Sequence, residues 1–308
     1  MPILWVYNKI LYLPIELIVK NKIMIRTITH FIALITYFLI LSFFVTINSA
    51  LADIMMISDF IPLKKLLEEA DQDTLVIFDV DHVLIMPTDE YTLNRHPYRK
   101  ELWKEIEGRL SKEEMKTLYG LTASKAKWRL VDPDIIDIFT RLKERQIPSI
   151  ALTSIYTGKF GNIEKLEDWR IKHLHDLGFD FVNLTPIKEE ILLYELEEQD
   201  GVPMLKSGVI LTAQIDKGKT LEYILGHNNY YPKTIIFIDD MLNNLESLER
   251  LSSKLKIKFH GLHYTAVSNM PIPVINKQIE KLRFQILEKE HKWLNHQELA
   301  ERNLILAE

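Results

Sequence analysis

The stretch Leu75-Val76-Ile77-Phe78-Asp79-Val80-Asp81-His82-Val83-Leu84 decides the fold class. Its apolar start and the acid-x-acid sequence that follows predict a buried parallel strand with two carboxylates at its carboxyl end. The carboxyl ends of parallel strands form the edge at which open α/β sheets bind ligands. The alternative is a strand that ends in a solvated turn, because Asp-x-Asp after an apolar run is a short and common motif.

The two carboxylates indicate what else the site must contain. Asp79 and Asp81 repel each other, and burial adds a desolvation cost, so a cation or a shared proton is needed to keep them together. The chain has no cysteine. This excludes disulfides, thiol nucleophiles, zinc–thiolate sites and a lipid-modified cysteine. Any metal ion must therefore be held by oxygen or imidazole.

The composition is that of an ordinary globular protein. A chain of 308 residues can form one substantial core and a smaller module. Apolar residues make up 47%, charged residues make up 26%, and the net charge is −5. These values argue against a disordered chain and against a nucleic-acid partner.

The first 52 residues are predicted to be a secretory signal peptide. The apolar run from Phe31 to Ile47 follows several basic residues and precedes Ala50-Leu51-Ala52, so we expect cleavage after Ala52. Met24 would give a basic start of more typical length and is suggested as the true start. The alternative is an uncleaved membrane anchor, because a run of 17 apolar residues is close to the minimum that spans a bilayer.

Cleavage would release a periplasmic or secreted bacterial protein with no stable membrane association. Without cleavage, the protein would remain anchored to the membrane. Disulfides are possible but not required in such compartments, so the absence of cysteine is compatible with export.

The remaining chain alternates helices with apolar strands, which predicts an α/β protein with a doubly wound, Rossmann-like parallel sheet. We expect the core to comprise residues 53–87 and 132–270. Predicted helices are 63–70, 132–142, 166–177, 217–225 and 242–255. Predicted strands after the first are 149–154, 179–184, 233–240 and 257–261, with a β-hairpin formed by 191–196 and 204–212.

Two further segments flank this core. Residues 88–131 are predicted to be a helical insert with helices from Pro97 and from Ser111, the second opened by a capping box with Glu114. Residues 271–308 are predicted to form a C-terminal helix, from about Ile275, that packs on the core.

Four predicted strand or helix ends carry polar side chains that can act together. Each has an ordinary structural explanation, such as a turn hydroxyl, a solvated lysine or a helix cap. Their joint occurrence at one sheet edge favours a common site. They are Asp79 with Asp81, Thr153, Lys217 or Lys219, and Asp239 with Asp240.

In this order the four ends resemble the haloacid dehalogenase superfamily over roughly residues 60–265. The superfamily motifs are Asp-x-Asp-x-Thr/Val, a strand ending in Thr or Ser, a lysine that opens a helix, and a strand ending in acids. The Lys-Gly-x-x-Leu spacing favours Lys217 over Lys219. The matching segments are Asp79-Val80-Asp81-His82-Val83, Ile150-Ala151-Leu152-Thr153, Asp216-Lys217-Gly218-Lys219-Thr220-Leu221 and Ile235-Ile236-Phe237-Ile238-Asp239-Asp240.

The resemblance implies an exported Mg²⁺-dependent phosphohydrolase that acts on phosphate monoesters through an aspartyl-phosphate. Asp79 would be the nucleophile and Asp81 the general acid and base. Thr153, Ser154 and Lys217 would bind the phosphate. We expect a phosphorylated small molecule as the substrate. The size and signal peptide resemble secreted acid phosphatases, and the insert and hairpin are closer to an exported branch whose substrate the resemblance does not supply.

The predicted cofactor is Mg²⁺, a hard ion that prefers oxygen ligands. Asp79, Asp239 and the main-chain carbonyl of Asp81 would hold the ion. Asp240 would orient these ligands. His82 lies beside the site and would either titrate there or face solvent as a loop imidazole.

The insert is placed where a cap would exclude water and select substrates by size. Its polar cluster of Arg95, His96, Tyr98 and Arg99 would either contact the non-phosphate part of the substrate or lie on the surface. Trp103 and Trp128 are predicted to pack in a core.

Two other functional classes use similar residues. Response-regulator receiver domains also combine acids, a hydroxyl, a lysine and Mg²⁺. Their order along the chain is acid pair, single Asp, hydroxyl and lysine, whereas here Asp-x-Asp comes first and the double acid comes last. Predicted export also argues against a receiver domain. The second alternative is a catalytically silent exported binding or interaction protein that retains the fold.

Overall fold

The computed structural model describes residues 52–88, 96–272, 274–302 and 304, together with the single position Thr36. The chain divides into two compact units, Met1–Leu51 and Ala52–Glu308. The predicted apolar run from Phe31 to Ile47 and the suggested start at Met24 lie outside the described residues, apart from Thr36, so export remains a prediction. Among the residues described, no helix combines the length and apolar composition needed to span a bilayer.

Most of the strands in the described part of the chain belong to one sheet. Its order is β1-β10-β9-β2-β5-β8-β7-β6, and β3 and β4 form a separate antiparallel ribbon. The strands are β1 (Ala52–Ile57), β2 (Thr74–Phe78), β3 (Ile85–Pro87), β4 (Trp128–Leu130), β5 (Ser149–Thr153), β6 (Ile191–Leu192), β7 (Met204–Lys206), β8 (Val209–Leu211), β9 (Thr234–Asp239) and β10 (Lys258–Tyr264). The six neighbouring strands β1, β10, β9, β2, β5 and β8 pair in parallel. Strand β7 pairs antiparallel with β8, and β6 pairs antiparallel with β7.

Helices cover both faces of the sheet. Successive side chains of a strand point to opposite faces. In β2, Val76 and Phe78 therefore pack in one apolar cluster, and Leu75 and Ile77 in another. The helices are α1 (Ile61–Glu69), α2 (Pro97–Glu107), α3 (Lys112–Lys125), α4 (Ile135–Glu144), α5 (Leu166–Asp176), α6 (Phe181–Leu184), α7 (Lys217–His227), α8 (Leu242–Leu255), α9 (Lys277–Glu290) and α10 (His296–Glu301).

The first cluster contains apolar residues of α1 and α4, and the second contains apolar residues of α7 and α8. The prediction of an α/β, doubly wound and Rossmann-like sheet is therefore confirmed.

The predicted strand at 179–184 is wrong, because this segment forms the short helix α6. The side chain of Asp180 accepts a hydrogen bond from the main-chain N of Asn183 (3.3 Å) and caps the turn. Such local capping competes with strand formation in a segment that is too short for its pattern to decide.

The predicted hairpin has a different pairing. Residues 204–212 contain two strands, β7 and β8, which are joined at Ser207 and Gly208. Both residues have positive φ, 52° and 77°, as a tight hairpin turn requires. Strand β8 then pairs in parallel with β5, while β6 pairs with β7.

Strand β1 was missed. It is an edge strand that pairs in parallel with β10, with Asp53 opposite His260. Its Met55 and Met56 are exposed. A short edge strand has little alternation of apolar and polar residues, and its partner lies about 200 residues away along the chain.

The insert forms two helices as predicted, and both halves of the Ser111–Glu114 capping box are present. Among the described residues, the C-terminal helix α9 shares its apolar cluster with the insert, whereas the prediction placed it on the core. Trp103 of α2 lies 5.0 Å from Phe284 of α9, ring centre to ring centre. The shared apolar cluster consists of Leu102, Trp103, Ile106, Met115, Leu118, Phe284, Leu287 and Trp293.

A buried charge group joins the insert to α9. Nε of Arg99 lies 3.8 Å from Oε2 of Glu280, and Nε of Arg283 donates to Oε1 of Glu280 (3.1 Å). The Arg99 guanidinium also lies 5.4 Å from the ring centre of Trp293. Because breaking a buried ion pair leaves an uncompensated charge, these contacts hold the two segments together.

Neither interpretation of the polar cluster in the insert holds for Arg99, which is buried against α9. His96 accepts a hydrogen bond from the main-chain N of Tyr98 (3.1 Å) and caps α2. Arg95 lies outside the described residues. Trp103 packs in an apolar cluster, as predicted.

The loop that follows β5 contacts α3 closely through Gly161. A Cβ added to Gly161 would lie 2.5 Å from the carbonyl oxygen of Lys116 and 2.6 Å from Cα of Thr117. The φ of Gly161 is +57°, which disfavours other residues. Backbone therefore meets backbone where the insert touches the core.

Gly161→Ala should destabilise the protein by about 2–4 kcal/mol, because overpacking against backbone adds to the strain of a positive φ. Gly226→Ala is the control, since an added Cβ has nothing within 4 Å in helix α7. That change should be neutral or stabilise by about 0.5–1 kcal/mol. Urea unfolding measures the stability of both variants. Equal stabilities of Gly161→Ala and Gly226→Ala would show that the loop around Gly161 adapts freely.

Candidate active site

Asp79 lies directly after β2, at the carboxyl edge of the sheet. Its main-chain N donates to the carbonyl of Ile238 in β9 (2.9 Å), so the strand pairing continues to the acid itself. The chain then turns back. The main-chain N of His82 donates to Ile85 (2.8 Å), and that of Ile85 donates to Val80 (3.1 Å). His82 takes a φ of 67° in this turn, which leads into β3 and the insert.

Lys217, the first residue of α7, reaches the carboxylates. Its Nζ donates to Oδ1 of Asp79 and to Oδ2 of Asp239, both at 2.7 Å. Lys217 is buried, whereas Lys219 is exposed. Residues two apart on a helix point about 200° apart, so only one of the two lysines can face the site.

Burial raises the pKa of Asp79 to about 8, even though the charge of Lys217 acts in the opposite direction. Burial alone would lower the pKa of Lys217, but the two carboxylates outweigh it and hold that pKa above its usual range. Without a further cation, the single charge of Lys217 must compensate the charges of several carboxylates. The site therefore favours a charged lysine and a proton on Asp79.

Asp239, the last residue of β9, is fixed by four hydrogen bonds. Oδ1 accepts from the main-chain N of Met241 (2.8 Å) and from Nδ2 of Asn244 (3.0 Å). Oδ2 accepts from Lys217 (2.7 Å) and again from Asn244 (3.1 Å). Sequence reasoning missed Asn244. The available signal was a polar residue in the first turn of a helix that follows an acidic strand end.

Three carboxylates form the part of the site that fits a metal ion. Oxygens of Asp79, Asp239 and Asp240 lie within 4.8 Å of one another. An all-oxygen, strongly negative donor set suits a hard divalent cation such as Mg²⁺. The side chain of Asp81 is not in this group. Its predicted contribution is its main-chain carbonyl, which remains a prediction.

Asp240 contacts two histidines. Nδ1 of His82 lies 3.2 Å from Oδ2 of Asp240, and Nε2 of His263 lies 3.1 Å from its main-chain oxygen. The hydrogen bond to Asp240 raises the pKa of His82 above its usual range. The side chain of His82 is 30% exposed, so this loop imidazole contacts solvent as well as Asp240, and its titration at the site remains a prediction.

Thr153 and Ser154 lie at the carboxyl end of β5, the strand next to β2. Thr153 is buried, and its carbonyl accepts from the main-chain N of Thr212 (2.9 Å). The carbonyl of Ser154 accepts a hydrogen bond from the Gln214 side chain. Both residues therefore share the sheet edge with Asp79, and phosphate contact by either one remains a prediction.

Asp81 has a separate cation, which sequence reasoning also missed. Nη2 of Arg170 in α5 donates to Oδ2 of Asp81 (3.1 Å). Arg170 is 5% exposed in its side chain, whereas Asp81 is 39% exposed. Trp128 packs against the apolar core, as predicted, and its half-buried ring also lies 5.4 Å from this guanidinium. A single arginine in an amphipathic helix gives no sequence signal for such a role.

His173 lies one turn after Arg170, with its ring 5.1 Å from Trp128 and 5.2 Å from Trp169. Burial, with a smaller effect of the Arg170 charge, lowers the pKa of His173 to about 4. Between pH 6.5 and 4, the unfolded chain binds a proton at His173 that the folded chain does not. His173 therefore destabilises the fold progressively as the pH falls through this window.

His173→Gln should flatten part of this pH dependence. Between pH 7 and 5, wild type should lose about 1 kcal/mol more stability than the variant, after allowance for solvent screening of a partly exposed ring. Urea unfolding at the two pH values measures the difference. Parallel losses in the two proteins would contradict the pKa shift.

The sheet, the buried lysine and the three carboxylates define an α/β protein with an acidic, cation-accepting site at the carboxyl edge of its parallel strands. The sequence model of the family described as "Protein of unknown function (DUF2608)" matches residues 56–300. The chain belongs to this family.

Relatives of the chain occur in Rickettsia. An uncharacterized protein of Rickettsia bellii is 26% identical over 203 residues, which are 63% of this chain and 68% of the relative. One of Rickettsia prowazekii is 25% identical over 241 residues, covering 77% and 85%. Among solved structures, a haloacid dehalogenase-like family hydrolase from Streptococcus pneumoniae is 13% identical with a TM-score of 0.31, covering 69% of this chain and 98% of that one.

Proposed function

We propose that the protein is an exported, Mg²⁺-dependent phosphohydrolase of the haloacid dehalogenase type that cleaves phosphate monoesters of small molecules. One observation carries the proposal: Lys217 bridges Asp79 and Asp239 at 2.7 Å, beside Asp240 and two residues from Asp81. Phosphoryl transfer needs a nucleophile and dense positive charge around the phosphate oxygens. A buried lysine among metal-binding carboxylates supports both requirements.

Asp79 is the proposed nucleophile. Lys217 holds its Oδ1, so Oδ2 remains to attack phosphorus. As the new O–P bond forms, the bond to the leaving oxygen breaks, and an aspartyl-phosphate results. Mg²⁺ held by Asp79, Asp239, Asp240 and the Asp81 carbonyl would supply positive charge for the phosphate oxygens when it is bound.

Asp81 is the proposed acid and base. Its carboxyl gives a proton to the leaving oxygen, then takes one from the water that attacks the aspartyl-phosphate and frees Asp79. Its partly exposed side chain supports this role, because the leaving group and the water must reach it. Thr153 and Ser154 are proposed to donate to the phosphate oxygens.

The insert is the proposed cap. It contacts the loop after Thr153 through Gly161, at the carboxyl edge of the sheet. Helix α9 completes its apolar cluster, so we infer a cap built from two segments of the chain. Export rests on the apolar run and the Ala-x-Ala sequence at the N-terminus.

The test is a panel of phosphate monoesters between pH 5 and 8, hydrolysed by the Ala52–Glu308 unit with Mg²⁺ or with a chelator. We expect release of inorganic phosphate that chelation abolishes and Mg²⁺ restores. No Mg²⁺-dependent hydrolysis across the panel would favour the binding-protein alternative.

A further inference from the structure

Arg170 is buried with few partners. Its Nη2 donates to Asp81, but its Nε and Nη1 are buried without a hydrogen-bond partner among the residues that the structure describes. Burying guanidinium N–H groups without replacing their bonds to water is unfavourable. One ion pair with a partly exposed carboxylate compensates little of this penalty, so a role beyond packing is expected.

Two tryptophans hold the guanidinium. Its central carbon lies 5.4 Å from the ring centre of Trp128 and 5.2 Å from that of Trp169. Aromatic faces attract cations, and the planar guanidinium is well suited to such contacts. Trp128 belongs to β4 and Trp169 to α5, so aromatic rings from two elements restrict Arg170.

The two acids of the Asp-x-Asp sequence thus have different cations. Lys217 binds Asp79 and Asp239, whereas Arg170 binds Asp81. Among the residues that the structure describes, Arg170 holds the Asp81 carboxylate through Oδ2, and the 39% exposure of this side chain leaves it accessible to a substrate. Without Arg170, the buried charge of Lys217 and a cation bound near Asp79 would attract Asp81 toward the nucleophile.

We propose that Arg170 is a positioning residue that holds the Asp81 carboxyl on the leaving-group side of the site. The inference rests on the proposed function, because it assigns Asp81 to proton transfer. Arg170 acts through Asp81, because its hydrogen bond goes to Oδ2 of that carboxylate. It keeps the proton donor in line with the leaving oxygen, where a displacement of about 1 Å can cost roughly 100-fold in rate.

The leaving group distinguishes this role from a structural one. An alkoxide must be protonated as it departs, whereas 4-nitrophenolate departs readily as the anion. The value of kcat/KM covers the steps through leaving-group departure, while hydrolysis of the aspartyl-phosphate is common to all substrates. Misplacement of Asp81 should therefore lower kcat/KM for an alkyl phosphate much more than for 4-nitrophenyl phosphate.

The experiment compares purified full-length wild type with Arg170→Met on both substrates at saturating Mg²⁺. We expect kcat/KM to fall roughly 10- to 100-fold for the alkyl phosphate and less than about threefold for 4-nitrophenyl phosphate. Arg145→Met is the control. Arg145 lies just before β5, at the opposite end of the sheet from the site, and donates to the main-chain oxygen of Ala70 (2.7 Å). Both values should change by the same factor in that variant.

A double-mutant cycle tests whether Arg170 acts through Asp81. In an Asp81→Asn background, Arg170→Met should not change the ratio of the two kcat/KM values further, because the positioned group is already lost. Arg170→Lys keeps the charge but not the planar fork and should give an intermediate ratio. It replaces Arg170→Met if that variant does not fold.

Equal losses for both substrates in the Arg170 variants would overturn the inference and leave the proposed function intact. A further change of the ratio in the Asp81→Asn background would also overturn it. If wild type hydrolyses neither substrate, the proposed function fails, and the inference fails with it.

Discussion

Asp79→Asn is expected to abolish phosphate ester hydrolysis, with a loss of roughly 10³–10⁶-fold in kcat. Removing a covalent nucleophile commonly has effects of this size, and the change also removes a negative ligand from the three-carboxylate group. The amide retains the shape and volume of the carboxyl. Steady-state hydrolysis of 4-nitrophenyl phosphate measures the loss in kcat, which should lie far above assay scatter.

The loss should occur without unfolding, which circular dichroism and urea titration can show. Burial raises the pKa of Asp79 to about 8 in the metal-free protein. A group whose pKa is raised on folding contributes stability at low pH that disappears as the pH rises through that value. Asp79→Asn should therefore be at least as stable as wild type at pH 8 without metal. A stable variant that keeps a tenth or more of the activity would exclude Asp79 as the nucleophile.

Lys217→Met and Lys219→Met form a matched pair with the second largest difference. Lys217→Met removes the cation that bridges Asp79 and Asp239, and we expect kcat to fall roughly 10²–10⁴-fold because the phosphate charge loses its fixed partner. Lys219 is exposed on the same helix, so its change should stay within about twofold. The same hydrolysis assay measures both.

The comparison within the pair controls for helix α7, since both variants exchange a lysine for methionine within its first turn. A large loss in Lys219→Met with a mild effect in Lys217→Met would reverse the assignment of the phosphate-binding lysine. Comparable losses in both would indicate a general effect on the helix.

The parts of the fold predicted correctly are those in which a local pattern and a buried position agree. The strands that end at Asp79, Thr153 and Asp239 are apolar runs buried on both faces, so tertiary contacts reinforce what their sequence favours. The bounds of α8 coincide with its predicted range, because its apolar spacing is strong.

The errors at β1 and α9 occur where a distant partner decides the structure. Strand β1 exists because β10 offers it an edge, and α9 packs on the insert because Phe284 meets the aromatic face of α2. Neither partner is visible in the local sequence. At 179–184, the short-range cap formed by Asp180 outweighs a weak strand pattern.

The candidate site divides in the same way. Asp79, Lys217, Asp239 and Asp240 were predicted because strand ends converge at one edge, and the structure brings them together there. Asn244 and Arg170 were not predicted, since each acts through a side chain reaching from a helix. Their function depends on the direction in which the side chain points, and residue type and spacing do not specify that direction.

The central claim is an aspartyl-phosphate at Asp79, and trapping it is the most direct test. Asp81→Asn should slow hydrolysis of the intermediate, while an acyl phosphate, with its good leaving group, should still phosphorylate Asp79. The account predicts that acid-quenched Asp81→Asn, incubated with acetyl phosphate and Mg²⁺, carries one hydroxylamine-labile phosphoryl group on Asp79 by peptide mass spectrometry. Phosphate turnover with a label on another residue, or no label and no turnover, would contradict it.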